Sequence, residues 1–304
     1  MKKTLVAIAA LTLVGAASAQ VTITGGVRAA FYNSGVAGAK TILSANDVAT
    51  NNITIQAKED LGGGMTASAR YVMRNDIMTG EPSPGGGNGV SNTTQLWRNS
   101  DASIGGNFGT VRAGRFGLDG LYAYDAFNAT GAVGPYSDAI GGRYNAMIEY
   151  NTPTLAGFSA TIGATSEGAA NEEASWVYVN YAAGPLSARV LTEKNQAATA
   201  AQKSSVAAGV AYDFGMAKVL AGTSTQKGVV SGATISEQYH IGAQVPFGAA
   251  LGKVGYMRNN TADTSIFAVG VDYALSKTTG LFLDIGKASH LANATWQAGF
   301  QKGF

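Results

Sequence analysis

The chain has no cysteine, only two histidines and few charged residues, and these shortages exclude several classes of protein. Without cysteine there can be no disulfide scaffold. The composition of 46% hydrophobic and 13% charged residues is unlike that of a disordered polar chain. Of the 21 basic residues, Lys2 and Lys3 account for the formal net charge of +2, and the rest equal the 19 acidic residues in number. A general nucleic-acid-binding surface is therefore not expected.

The sequence also lacks the usual groupings of catalytic residues. His240 and His290 are the only histidines, and there is no G-x-S-x-G nucleophile elbow. An outer-membrane protease or esterase would need Asp, His or Ser clustered at one place, and no local spacing indicates such a cluster. We therefore expect no enzymatic activity, no cofactor and no catalytic metal.

Long hydrophobic runs are missing after Val14, so no later segment has the length of a membrane-spanning helix. The one apolar run, Leu5–Val14, follows Lys2 and Lys3 and precedes small residues that end in Ala19. This layout predicts a secretory signal peptide over residues 1–19, cleaved before Gln20, in preference to a retained transmembrane helix. If the mature chain lies in a membrane, it must cross the membrane as strands.

Alternation of apolar and polar residues is the strongest positive signal, and it is clearest at the end of the chain. One face of the last segment would carry Ala294, Trp296, Ala298, Phe300, Lys302 and Phe304. A period of two is typical of a strand with one apolar and one wet face. The start of the predicted mature chain has the same pattern, with Val21, Ile23, Val27, Ala29 and Phe31 on one face. Pairing the last strand with the first would close a barrel.

Similar runs fill the chain without a domain break, and we count about sixteen of them. Short turns such as Thr152–Pro153 alternate with longer polar segments such as Ser34–Thr50 and Asp76–Asn92. The alternative, a soluble β-sandwich, would carry more charge on its outward faces. We therefore predict an all-β fold: a 16-stranded antiparallel transmembrane β-barrel over residues 20–304, with short periplasmic turns and long extracellular loops. Lipid offers no hydrogen-bond partners to an open sheet edge, so the barrel must close.

A sixteen-stranded barrel is too wide for its own side chains to fill, so the default expectation is a water channel. The longest connector, about Phe116–Gly142, contains Tyr122, Tyr124, Phe127 and Tyr136. Because so many aromatic side chains need a surface to pack on, we expect this third loop to fold into the lumen.

Several motifs resemble the Gram-negative general porins of the beta-proteobacterial and neisserial type. They are Lys58–Gly64 (KEDLGGG), Gly106–Arg115 (GNFGTVRAGR), Tyr124–Gly131 (YDAFNATG), Ile148–Pro153 (IEYNTP) and the terminal Phe304. The resemblance covers the whole mature chain. It implies a trimeric outer-membrane barrel whose third loop, here 116–142, bends inward to form the constriction.

The resemblance also implies a constriction with arginines on the wall opposite acidic residues of the inward loop. By motif position Arg98 and Arg143 match two wall arginines, Arg115 lies at the root of the loop, and Asp125 matches its acidic side. Two further loop aspartates, Asp119 and Asp138, are candidates for this side, as loop anchors or as a cation site. The alternative that Asp119 and Asp138 are simply solvated loop residues stays open.

Strand parity gives independent support for a basic wall, because a lipid-facing arginine would cost roughly 2–4 kcal/mol at the midplane. It places Arg70 and Arg74 on the lumen side, whereas Arg98 shares a face with Ala102 and Ile104 unless a bulge or a strand start intervenes. Val72 and Arg74 stand where related porins sometimes carry acidic residues on the third strand, which strengthens an anion filter. Asn52 replaces an arginine of strongly anion-selective porins, which weakens it.

The predicted function is passive diffusion of small hydrophilic solutes and ions, with a preference for small anions, across the outer membrane of a Gram-negative cell. Alternatives are a substrate-specific channel and a closed adhesin-like barrel. A sugar-specific channel would require Tyr122, Tyr124 and Tyr136 to form a continuous track. Expected partners are two further copies in a homotrimer, outer-membrane lipid and lipopolysaccharide, and the barrel assembly machinery through Phe304.

Overall fold

The computed structural model describes residues 20–45, 51–80, 96–118, 120–127, 143–166, 173–195, 202–228 and 232–304. The predicted signal peptide, Asp119, Tyr136 and Asp138 lie outside these residues. In the described part of the chain no helix is both long and apolar enough to cross a membrane.

The described residues form one antiparallel sheet of seventeen strands. They are β1 (Gln20–Asn33), β2 (Ile42–Ser44), β3 (Asn52–Gly62), β4 (Met65–Arg74), β5 (Trp97–Gly106), β6 (Gly109–Gly117), β7 (Arg143–Asn151), β8 (Phe158–Thr165), β9 (Ala174–Ala183), β10 (Leu186–Asn195), β11 (Gln202–Asp213), β12 (Lys218–Gly228), β13 (Thr234–Phe247), β14 (Ala250–Asn259), β15 (Thr264–Ala274), β16 (Thr279–Ala288) and β17 (Thr295–Gly303).

The sheet closes on itself between its first and last strands. β1 pairs with β17 from Gly26 opposite Gly303 to Asn33 opposite Trp296. The other edge of β1 pairs with β3 along its first half and with the three-residue β2 along its second half. Since β2 and β3 share this edge, they are two segments of one barrel strand. The seventeen elements therefore make the closed sixteen-stranded barrel that the alternation predicts, and that prediction is confirmed.

The two faces of the wall differ as the alternation requires. In β16, Leu281, Leu283 and Ile285 are exposed on the outside, whereas Phe282 and Asp284 between them are buried on the inside. The same outward display of large apolar side chains recurs around the barrel. Such a surface would aggregate in water but suits contact with lipid.

The closing seam brings β1 and β17 so close that one residue of β17 must be glycine. A Cβ atom added at Gly299 would overlap the carbonyl oxygen of Ala29, a backbone atom that cannot rotate away. We expect Gly299→Ala to destabilise the closed barrel by about 1–3 kcal/mol, the usual cost of overpacking. The measurement is the urea midpoint of the folded band on semi-native gels.

A matched control lies four residues further along the same strand. At Gly303 an added Cβ atom would meet its nearest neighbour, the carbonyl oxygen of Gly25, only at 3.5 Å. Gly303→Ala should therefore keep the wild-type midpoint. Equal midpoints for the two variants would contradict the close approach at the seam.

Candidate functional site: the pore constriction

The segment that follows β6 leaves the wall and crosses the lumen. It contains a short 3-10 helix, Tyr122–Tyr124, and Leu121 and Phe127 are buried within it. Its backbone carbonyls accept hydrogen bonds from three side chains on two other strands, Arg189 of β10 and His240 and Gln244 of β13. β13 lies seven positions from β6 around the sixteen-stranded ring, so the bonds from His240 and Gln244 reach the opposite wall.

The acceptors in these bonds are spread along the inward segment, which is defined as residues 118 and 120–127. Gly120 O accepts from Arg189 Nη1 at 2.9 Å, Tyr124 O accepts from His240 Nε2 at 2.9 Å, and Ala126 O accepts from Gln244 Nε2 at 2.7 Å. Three bonds from a rigid sheet hold the loop in one place. The prediction that the third loop folds inward is thus confirmed for its described part.

Glycines on the inner wall provide the space that the inward segment occupies. A Cβ atom at Gly209 of β11 would lie 2.6 Å from Tyr124 Cγ, and one at Gly242 of β13 would lie 2.6 Å from Ala126 Cβ. Burial is the main cause that raises the pKa of Tyr124 above its usual value, so its phenol stays neutral. Tyr124 therefore packs on the wall and is unavailable for a sugar track.

The structure brings all five predicted wall arginines together on the side where β4, β5, β6 and β7 meet. Arg98 is repelled by Arg143, Arg74 and Arg115, and Arg143 is in turn repelled by Arg70. Both Arg98 and Arg143 also interact with Tyr122 of the inward segment, which places this arginine cluster at the constriction. The cluster is defined as Arg70, Arg74, Arg98, Arg115 and Arg143.

Neutral amides position two members of the arginine cluster. Arg143 Nε donates to Asn99 Oδ1 at 3.0 Å, and Arg115 Nη1 donates to Asn145 Oδ1 at 2.6 Å. An amide oxygen orients a guanidinium group without cancelling its charge. These two contacts orient the two guanidinium groups without neutralising them.

A β-bulge explains how Arg98 joins the arginine cluster although simple alternation places it on the outer face. Val72 of β4 lies opposite Asn99, but the next residue, Met73, lies opposite Trp97. Arg98 is thus the extra residue, and the alternation shifts by one at this point. Trp97 then meets Tyr71 on the outside, with ring centroids 5.3 Å apart.

Two carboxylates of the wall were not among the predicted site residues. Asp101 accepts from Arg70 Nη2 at 3.1 Å and from Arg112 Nε at 2.9 Å, and Glu149 lies 3.5 Å from Arg112 Nη1. The sequence gives no local signal for Asp101, because it lies opposite Arg70 only in the register of β4 and β5. These carboxylates offset part of the charge of Arg70 and Arg112.

On the acidic side of the predicted constriction the structure describes only Asp125. Its side chain is buried, and Oδ1 accepts a hydrogen bond from the backbone N–H of Phe127 at 2.9 Å. An aspartate that bonds the backbone two residues ahead stabilises a turn. Asp125 therefore shapes the tip of the inward segment. Asp119 and Asp138 lie outside the described residues.

A second charged network joins the far wall to the tip of the inward segment. Asp284 of β16 lies 3.7 Å from Arg28 Nη2 and 3.0 Å from Lys253 Nζ, and it accepts from Gln297 Nε2 at 2.8 Å. The ring of Phe127 lies 5.2 Å from Lys253 Nζ. Among the residues with described positions, no group of His, Asp or Glu side chains is arranged to hold a metal ion. The inward segment is thus flanked by charged side chains on both walls.

Comparison with known proteins agrees with this geometry. A family model described as Gram-negative porin matches residues 4–290. Outer membrane porin protein 32 of Delftia acidovorans is 32% identical, over 93% of this chain and 88% of that protein. Among solved structures, the anion-selective porin from Comamonas acidovorans has a TM-score of 0.78 at 24% identity, over 94% of this chain and 100% of that one. OmpT of Vibrio cholerae, in its trimer form, has a TM-score of 0.69 at 11% identity, over 94% of this chain and 100% of that one. The chain therefore belongs to the Gram-negative porins, the channel-forming barrels of the outer membrane.

Proposed function

We propose that this porin lets small hydrophilic solutes diffuse passively through a water-filled lumen, with a preference for anions. The observation that carries the proposal is the convergence of the arginine cluster beside Tyr122 of the inward segment. Positive groups that line a narrow aqueous passage raise the local concentration of anions and lower that of cations. No bond is made or broken, so the channel needs no catalytic group.

Two further observations support a general channel over the alternatives. The Comamonas porin of similar fold is described as anion-selective, which agrees with a basic constriction. Tyr124 is buried against Gly209 and does not line a track for sugars. The solutes admitted are therefore small and hydrophilic as a class, with charge as the main selection.

The direct test of ion preference is the reversal potential of single channels in planar bilayers under a KCl gradient. We expect Arg143→Gln to lower the ratio of chloride to potassium permeability by up to about thirty-fold. One unit charge acting at about 4 Å in water is worth about 1 kcal/mol, and its removal disfavours the anion and favours the cation by that amount each. The substitution keeps the size and polarity of the side chain while removing its charge.

Arg258→Gln is the matched control, because Arg258 pairs with Asp263 in the short connector after β14, away from the arginine cluster. It should leave the permeability ratio unchanged. An equal fall in both variants would assign the preference to the net charge of the barrel. A folded wild-type barrel that gives no current would favour the closed adhesin-like alternative.

The same proposal includes export, assembly and partners. A signal peptide over residues 1–19 would direct the chain to the periplasm. The backbone of Phe304 pairs with Gly25 at the closing seam, with N···O distances of 3.0 and 3.1 Å, and its side chain is exposed. Before closure this aromatic terminus would be accessible to the barrel assembly machinery. A homotrimer is supported by the trimer form of the Vibrio protein, and lipopolysaccharide is the expected lipid partner.

A further inference from the structure

The lipid-facing side of the barrel contains a groove across strands β6 to β10. Its volume is about 700 Å³, and its apolar lining includes Val111, Ile148, Ile162, Ala164 and Val177. These side chains occupy two adjacent rows of the sheet register. One row runs from Val111 to Thr192, and the other runs from Ile148 to Lys194.

Small side chains create the groove. In the second row, Ala164 of β8 and Ser175 of β9 lie side by side between the larger Ile148 and Lys194. Ile162 and Val177 form the flank in the first row. A depression between larger apolar side chains on a lipid-facing wall has the shape that holds a hydrocarbon chain.

The groove has the length and direction of an acyl chain in one leaflet. Five strands at a spacing of about 4.8 Å span roughly 19 Å, whereas half of the hydrocarbon core is about 15 Å thick. Val111 lies two residues from the short-turn end of β6, and Lys194 lies one residue from the loop end of β10. The groove therefore rises toward the side of the long loops, which is the extracellular side.

The upper end of the groove is polar and positively charged. Lys194 is exposed on the outer face, and its two neighbours in the register are Ser175 of β9 and Ser204 of β11. Among the residues that the structure describes, no carboxylate forms an ion pair with Lys194. A lysine on the lipid face is tolerated where its ammonium group reaches the headgroup level. One ammonium group and two hydroxyl groups in a row can all donate hydrogen bonds to the oxygens of a phosphate group.

We propose that this groove is a binding site for lipid A, the phosphorylated glycolipid anchor of lipopolysaccharide. One acyl chain lies between the two rows of side chains, and a phosphate group accepts hydrogen bonds from Lys194 and the flanking serines. The site rests on the outer-membrane placement of the channel but uses none of the lumen residues. Ser175, Lys194 and Ser204 share the outer face of three neighbouring strands, so the barrel wall itself builds the site.

The test is native mass spectrometry of delipidated protein titrated with bis-phosphorylated lipid A, for wild type, Lys194→Gln and Ala164→Leu. We expect Lys194→Gln to weaken retention about five-fold, the effect of one lysine near an anionic surface. Ala164→Leu fills the groove and should weaken retention by a comparable factor. Lys287→Gln is the control, since Lys287 lies on β16 and donates to the carbonyls of Leu291 and Ala292.

Further arms of the titration separate charge from shape. With lipid A that lacks both phosphates, Lys194→Gln should retain as much lipid as wild type, whereas Ala164→Leu should still retain less. Equal retention by all variants overturns the site, and equal binding of phosphatidylglycerol and lipid A by wild type overturns the choice of ligand. Conductance of the same wild-type preparation is recorded in parallel. An open channel without lipid selectivity refutes the lipid site alone, and a preparation without current counts against the channel function.

Discussion

Replacing Gly209 with leucine should release the inward segment from the far wall and enlarge the channel. The Cβ position of residue 209 lies within 2.6–2.9 Å of Tyr124 Cγ, Cδ2 and Cβ, so the new side chain and the tyrosine cannot occupy the same space. These atoms are near the root of Tyr124, and they move only if the loop backbone moves. The displacement would also break the hydrogen bond from His240 to Tyr124 O.

The size of the effect follows from the cost of overpacking, about 1–3 kcal/mol, which lowers the ratio of docked to undocked loop about 5- to 150-fold. Single-channel records should then show larger mean conductance and more current noise, and the uptake of bulkier uncharged solutes in liposome swelling should rise. Val210→Leu adds bulk to the next residue of β11, whose side chain is exposed on the outer face. It should behave as wild type. An unchanged conductance in Gly209→Leu would show that the loop position does not limit the passage.

Removing the carboxylate of Asp284 should cause a large loss of barrel stability. Its side chain is 1% exposed and lies against two cations, Arg28 and Lys253, that are themselves 6% and 5% exposed. Breaking a buried ion pair by deleting one partner leaves charge buried without compensation, which costs about 3–5 kcal/mol. Lys253 keeps Asp272 at 2.8 Å, so we expect Asp284→Ala to fall near the lower limit, about 3 kcal/mol.

The free energy of unfolding is measured from urea titrations of the refolded barrel. Asp284→Asn keeps the shape and can still accept from Gln297, so its comparison with Asp284→Ala separates the charge from the hydrogen bond. Asp263→Ala is the control, because Asp263 pairs with Arg258 while 85% exposed, and such pairs contribute about 0–1 kcal/mol. A loss in Asp284→Ala no larger than in the control would contradict the network.

The arginines differ in how well their positions could be predicted from the sequence. Parity alone places Arg70 and Arg74 on the lumen side. The two residues are four positions apart in one regular strand, so their side chains lie on the same face. Arg98 could be placed on the lumen side only from the bulge in β5, which lies opposite Val72 and Met73 of β4. A bulge depends on how two strands align, and neither strand encodes that alignment by itself. The partners Asp101 and Glu149 were overlooked for the same reason, since their role appears only when β4, β5, β6 and β7 are placed side by side.

Two glycines of the inner wall show the same limit of local sequence patterns. Gly209 and Gly242 occur within strands, where glycine is unfavourable by propensity, and such positions often mark a close approach of other groups. Nothing local indicates that the group approaching is a loop that arrives from the opposite wall. That contact joins residues 124 and 209 across the lumen, and it exists only after the barrel has closed.

The sequence by itself determined that this chain forms a closed sixteen-stranded barrel with an apolar outside, because a period of two and the demands of lipid on backbone hydrogen bonds allow few other solutions. It also determined that an aromatic third loop needs a surface to pack on. Only the tertiary structure decided which wall receives the loop, how Arg98 joins the other arginines, and which carboxylates offset them. Those outcomes depend on register and on contacts between distant strands, and a local pattern of residues carries no information about either.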